Sequence, residues 1–261
     1  MKINKIHFYV LLMFLFPSIA FAQFDSEASK EALYDHANDM RVYLQMAVKD
    51  KLYLINGQQV KYAEKELDYS IAKVDESINI IDLNVTEPKI RSQVESIKEL
   101  WKKLSAVATK DFDNKEFLKV YYQVNLFDKM IYDLADSMYV TYNLSDKKMD
   151  QYRSTQKLRY LIQKVAFNYY ANYLGLSKSV SHEYKKNIAE IDAFIKEKSN
   201  MLLNEDNKDE LFVRIIADWN FFRANLFHKD MKNIRTVFSL STSMDYKLNK
   251  LKESYFSRIA E

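Results

Sequence analysis

Two arginines and two glutamines carry the most distinctive chemistry in this sequence. Arg41 and Gln45 stand in DMRVYLQMAV at residues 39–48, and Arg159 and Gln163 in KLRYLIQKVA at residues 157–166. Each pair is Arg-x-x-x-Gln, so on a helix both side chains leave from one face. Arg41 follows Tyr34 by seven residues, and Arg159 follows Tyr152 by seven. Leu44 and Val48 continue the first face, and Ile162 and Ala166 the second. Each guanidinium therefore sits on or beside an apolar seam, where it must be paired or reach water. Two chemistries meet that need. One is an internal ion pair, with Asp128 for Arg41 and Asp245 for Arg159. The other is anion recognition, because a planar fork of donors matches nitrate, carboxylate or phosphate. The candidate ligand contacts are Tyr34, Arg41 and Gln45 in one stretch and Tyr152, Arg159 and Gln163 in the other.

Other chemistry is thinly represented. The chain has no cysteine, which excludes disulfides, thiolate metal sites and thiol nucleophiles. Beyond the leader the histidines are His36, His182 and His228, and no two are three or four residues apart, so a helical metal motif is missing. His36 reads as a structural or surface residue near Arg41. There is no Gly-rich phosphate loop, no G-x-S-x-G elbow and no Glu-x-x-His bundle motif. The aromatic runs Tyr121-Tyr122, Tyr169-Tyr170 and Phe221-Phe222 read as core, with stacking on a ligand as the alternative. The expectation is a protein that is not an enzyme and uses no cofactor and no metal.

Residues 1–22, MKINKIHFYVLLMFLFPSIAFA, read as an export signal. Lys2 and Lys5 form its positive start, Phe8 to Phe16 its apolar core, and Ala20-Phe21-Ala22 a small-x-small cleavage site. The mature chain is expected to begin at Gln23 and to reside in the periplasm. Without Lys2 and Lys5 the chain carries 37 basic and 36 acidic residues, a net charge of +1. That balance gives no electrostatic case for nucleic acid.

The elements that must position the arginines are helices. Beyond the leader the chain has only Gly57, Gly175 and Pro88 as turn-forming glycine and proline, too few for a sheet with its hairpins. An offset of 118 residues joins Tyr34 to Tyr152, Arg41 to Arg159, Gln45 to Gln163, Gly57 to Gly175 and Trp101 to Trp219. An offset of 117 joins Ile71, Ala72, Asp75 and Ile78 to Ile188, Ala189, Asp192 and Ile195, and Asp113, Val120, Asp128, Leu134 and Ser137 to Asp230, Val237, Asp245, Leu251 and Ser254. Such agreement reads as an internal repeat. Inserting one residue turns a helix face by about 100° but is tolerated in a loop. The changes of offset thus mark three loops, and four helices, in each copy. The predicted helices span about 27–56, 59–83, 88–109 and 114–142, then 146–174, 180–203, 207–228 and 231–259. Gly57 and Gly175 suit the left-handed position past a helix end, Thr86-Glu87-Pro88 a helix start, and Asn143-Leu144-Ser145-Asp146 the caps opening the second copy. Val94, Ile97, Trp101, Leu104 and Ala108, with Phe212, Ile215, Trp219, Phe222 and Leu226, form matching apolar stripes. The expected fold is all-α, with up-down-up-down four-helix bundles at 23–143 and 144–261.

The stretches Asp39-Met40-Arg41-Val42-Tyr43-Leu44-Gln45 and Lys157-Leu158-Arg159-Tyr160-Leu161-Ile162-Gln163 resemble the first-helix motif of PilJ-type sensor domains, the N-terminal module of type IV pilus chemotaxis transducers. The periplasmic modules of nitrate-sensing histidine kinases are similar. The small residue and the serine of the family motif are missing here, and Gln163-Lys164 keeps the sense of its Gln-Arg. The resemblance covers both copies. It implies a sensory protein that recognises a small anion or metabolite and signals through a membrane-bound transducer or histidine kinase. It also implies that Arg41 and Arg159 contact the anion, because in the nitrate sensors that arginine does so between helices of two subunits. A helical bundle that binds other proteins, with no small-molecule site, is the alternative. The oligomeric state is left open.

Overall fold

Caps and glycines set the helix ends. In the computed structural model the described residues are 28–108, 110, 113–144, 147–176, 178–203, 210–227 and 230–260. The export signal, its cleavage site and the expected N-terminus at Gln23 lie outside them, as do Ser145, Asp146, His228 and the side chains of Ala108 and His182. The helices are α1 Lys30–Ile55, α2 Val60–Asn84, α3 Pro88–Ala108, α4 Asn114–Thr141, α5 Lys147–Tyr173, α6 Lys178–Leu203, α7 Glu210–Asn225 and α8 Met231–Ala260. No strand occurs among the described residues. The chain is all-α, and the helices fall within a few residues of their expected bounds.

Equivalent sequence positions end these helices in the same way. Gly57 and Gly175 take φ of +66° and +68°. In each case the next residue donates its N–H back five positions, Gln58 to the Tyr53 carbonyl at 2.8 Å and Leu176 to the Ala171 carbonyl at 3.0 Å. This is the left-handed closure that glycine adopts without a Cβ penalty. Asp113 accepts from the N–H groups of Lys115 and Glu116 at the start of α4, and Asp230 accepts from that of Asn233 at the start of α8. Both satisfy amide donors left over in a first helical turn. Pro88 opens α3, where its missing N–H leaves no helical bond unmade.

The predicted stripes face the core. Val94, Ile97, Trp101 and Leu104 are buried, as are Phe212, Ile215, Trp219, Phe222 and Leu226. Trp101 donates to Asp75 at 2.6 Å and Trp219 to Asp192 at 3.0 Å, so each indole N–H has a carboxylate partner on a neighbouring helix.

The two arginine-bearing helices are the innermost. Every residue of α1 from 42 to 53, and of α5 from 158 to 171, is buried. A helix buried all round must be wrapped on all sides. Helix α1 packs against α2, α4 and α5, and α5 packs against α1, α6 and α8. They run parallel, because contacts appear in the same order along both: Asp35 with Tyr152, Asp39 with Arg159, Arg41 with Tyr160, and Tyr53 with Tyr170. The crossings are reciprocal. Helix α1 reaches α8 through Lys49 and Ser241, and α5 reaches α4 through Tyr160 and Asp128. No described helix is long and apolar enough to cross a membrane.

Candidate functional site

Arg41 and Arg159 both meet the aspartates their spacing nominates. Arg41 Nε donates to Asp128 Oδ1 at 2.9 Å and its Nη2 to Oδ2 at 3.3 Å. Arg159 does the same with Asp245, at 2.9 and 3.3 Å. These are bidentate fork-to-carboxylate pairs. A tyrosine ring of the opposite inner helix flanks each guanidinium. Tyr160 lies 4.4 Å from the Arg41 carbon, and Tyr43 lies 5.9 Å from that of Arg159. Tyr132 covers Arg41 at 4.9 Å as well. The bidentate ion pairs are present in both stretches.

The surroundings of the two arginines then diverge. Arg159 is fully buried, and its Nη1 also donates to Asp39 at 2.7 Å and to Gln156 at 3.0 Å. Lys252 of α8 donates to Asp35 and Asp39 of α1, each at 3.0 Å. Tyr152 donates to Asp35 at 2.5 Å, and Gln156 donates to Asp35, Asp39 and the Tyr152 hydroxyl. Burial would raise the Asp39 carboxyl, but Arg159 and then Lys252 hold it down at about 2. Burial and the neighbouring Asp39 charge push Asp35 up instead. Asp35, Asp39 and Lys252 were not among the expected site residues.

Arg41 instead forms part of a wall. A cavity of about 590 Å³ opens between α1, α4, α5 and α6, lined among others by Tyr34, Arg41, Tyr132, Ala135, Arg153, Lys157, Tyr160 and Asn187. Its size suits a small-molecule site. Five cationic side chains line it, namely Arg41, Arg153, Lys157, Lys164 and Lys186, against Asp136, Asp150, Glu183 and Glu190. Lys164 pairs with Glu183 at 2.7 Å, and Lys157 pairs with Glu190. Among the described residues Arg153 has no carboxylate partner. Its guanidinium lies 4.2 Å from the Tyr139 ring centroid, and the Tyr34 and Tyr139 side chains more than offset the downward effect of its burial on its pKa.

The remaining expected residues divide between cavity and core. Tyr34 lines the cavity, and its ring packs between those of Tyr139 and Tyr152. Tyr152 is buried in the Asp35 network. Gln45 is fully buried, and neither end of its side chain has a partner among the described residues. Gln163 is buried and donates to the Ser241 carbonyl at 3.0 Å. Neither glutamine lines the cavity. His36 approaches the Ser77 hydroxyl at 3.3 Å. Of the aromatic runs, Tyr121, Tyr169, Tyr170 and Phe222 are core, whereas Tyr122 and Phe221 are exposed. Among the described residues no group of three or more His, Asp or Glu is arranged to hold a metal.

Arg153 and Lys157 are the additions the structure makes to the expected set. A sequence signal for them exists. At an offset of 118 they fall on Asp35 and Asp39, so the charge reverses between the two stretches. Comparison with family models, with curated proteins and with solved structures gives no match.

Proposed function

We propose that this chain is a sensory protein that binds a small anion or metabolite in the cavity between its inner helices. The observation that carries the reading is that cavity: about 590 Å³, polar, and walled by Arg41 where the corresponding Arg159 is enclosed. Its lining is mainly charged and tyrosine side chains on four helices, a rigid support for a polar ligand. The two halves are PilJ-type sensor modules, and their first helices meet within one chain. The leader sends the protein to the periplasm, and occupancy of the cavity passes to a membrane-bound transducer or histidine kinase. Binding between α1 and α4 on one side and α5 and α6 on the other gives such a signal a route. A ligand that prefers one spacing of these helices shifts the population toward it.

A second reading has its own support. Phe221 and Phe227, at and just beyond the end of α7, are 58% and 69% exposed, as on a face that docks another protein.

A thermal-shift screen of the mature chain 23–261 against small anions and metabolites tests the first reading. Ser154→Trp, which fills the cavity from α5, is the control. A compound that raises the melting temperature of the wild type and not of Ser154→Trp supports the cavity as the site. If nothing in the screen separates the two proteins, the reading fails and protein docking takes its place.

A further inference from the structure

The cavity has a counterpart on the other side of the α1–α5 contact, and that counterpart is filled. There Asp35 and Asp39 of α1 hold the ammonium of Lys252, which reaches across from α8, with both distances at 3.0 Å. Tyr152 donates to Asp35 beside it. The offsets that pair Arg41 with Arg159 and Asp128 with Asp245 carry these residues onto the cavity. Asp35 and Asp39 fall on Arg153 and Lys157, 118 residues on. Tyr152 falls on Tyr34, and Lys252 falls on Ala135, 117 residues back. All four of these counterparts line the cavity. Two carboxylates around an internal ammonium have thus become two cations around open space, and the long side chain that would fill the space is cut to a methyl group.

We propose that Arg153 and Lys157 form an anion subsite within this cavity, and that it takes the carboxylate of a small organic acid whose body occupies the space above Ala135. The proposal rests on the reading of the cavity as a ligand site and names the ligand's class. Arg41 is not the anchor, since Asp128 engages two of its nitrogens and tyrosine rings cover it. Arg153 is half-buried, lies against the Tyr139 ring and has no carboxylate partner among the described residues. Its fork can take a carboxylate in two parallel bonds. Lys157 pairs with Glu190 at the exposed rim, where water and salt weaken the pair, so its ammonium can turn inward. Asp136 and Asp150 also line the cavity but are exposed, where water screens their repulsion of an anion. At about 590 Å³ the cavity exceeds a bare inorganic ion, which is why the ligand is assigned an organic body.

Calorimetric titration of the mature chain with acetate, succinate, citrate, nitrate and inorganic phosphate tests this. The organic acids should bind more tightly than nitrate or phosphate, and Arg153→Ala should weaken binding at least tenfold. Arg153→Lys should recover part of the loss. Because Arg153 has no ion pair to break and loses only its contacts with Tyr139 and Tyr34, the unfolding midpoint of Arg153→Ala should fall by much less than that of Arg159→Ala. The triple variant Arg153→Asp, Lys157→Asp, Ala135→Lys should rebuild the filled network, abolish binding and raise the midpoint. If an acid binds and Arg153→Ala stays within twofold of the wild type, the subsite is overturned. The same holds if phosphate or nitrate binds as tightly as the organic acids. If only uncharged or cationic compounds give a shift that Ser154→Trp removes, the anion assignment fails and the cavity reading stands. If no compound binds, both fail.

Discussion

Replacing Arg159 by alanine should be the most damaging single change among the inner arginines. The side chain is fully buried, with Asp245 on one edge and Asp39 and Gln156 on the other. Asp39 would keep Lys252 and Gln156. Asp245, with a side chain only 10% exposed, would lose both bonds to the fork. Breaking a buried pair by deleting one partner costs about 3–5 kcal/mol. For a chain of this size that corresponds to a fall of about 6–20 °C in melting temperature. Arg41→Ala should cost less, about 1–3 kcal/mol. Its side chain is 19% exposed, and Asp128 keeps the hydrogen bond from the Tyr160 hydroxyl at 2.9 Å. Urea unfolding of the mature chain at neutral pH, followed by far-ultraviolet circular dichroism, measures both. An Arg159→Ala loss below about 1 kcal/mol, or an Arg41→Ala loss larger than it, would refute the assignment of Asp245 as a buried, dependent partner.

Three further outcomes follow from individual side chains. Asp39 is held at about 2, below its ordinary 3.8, so its contribution is complete above the ordinary value and disappears as pH falls through about 2. Acid titration of stability should show a loss of about 2 kcal/mol over that range that Asp39→Asn lacks. Asp50 is fully buried, and its one ion pair among the described residues is with Lys49 at 3.3 Å, a cation that Glu66 shares; burial raises its carboxyl well above the usual range, with Lys49 opposing and Glu66 adding. A raised carboxyl gives stability that is present at low pH and lost as pH rises, so Asp50→Asn should be as stable as the wild type or more so at pH 8, by urea midpoint. Gly57→Ala and Gly175→Ala should each cost about 1 kcal/mol, because the added Cβ meets open space and the penalty comes from positive φ alone.

Helix bounds were legible in the sequence because their signals are local. Glycines at 57 and 175, Pro88 and the apolar stripes act within a few residues, and the offsets located the loops between them. The aspartates opposite the two arginines were legible because both members of each pair recur together. Lys252 reaching Asp35 and Asp39 was not. Those partners lie 217 and 213 residues apart, and no periodicity links an α8 lysine to an α1 carboxylate. The cavity was missed for a related reason. Attention to residues that recur selects Arg41 and Arg159, whereas Arg153, Lys157 and Ala135 mark where the two stretches differ. Gln45 and Gln163 recur too, yet both are fully buried and neither lines the cavity, so the shared position reflects shared packing. The contact between α1 and α5 explains why polar residues crowd both helices: each is wrapped by neighbours that supply carboxylates, hydroxyls and rings.

The most direct test observes the arginines themselves. The Nε–H resonances of nitrogen-15-labelled arginine are few enough in this chain to follow singly, with Arg153→Lys and Arg159→Lys as assignment controls. On titration with the tightest-binding organic acid of the panel, the Arg153 signal should shift most, the Arg41 signal should move with it, and the Arg159 signal should stay in place. A shift centred on Arg159, or saturation of binding with no movement at Arg153 or Arg41, would contradict a ligand site between the inner helices.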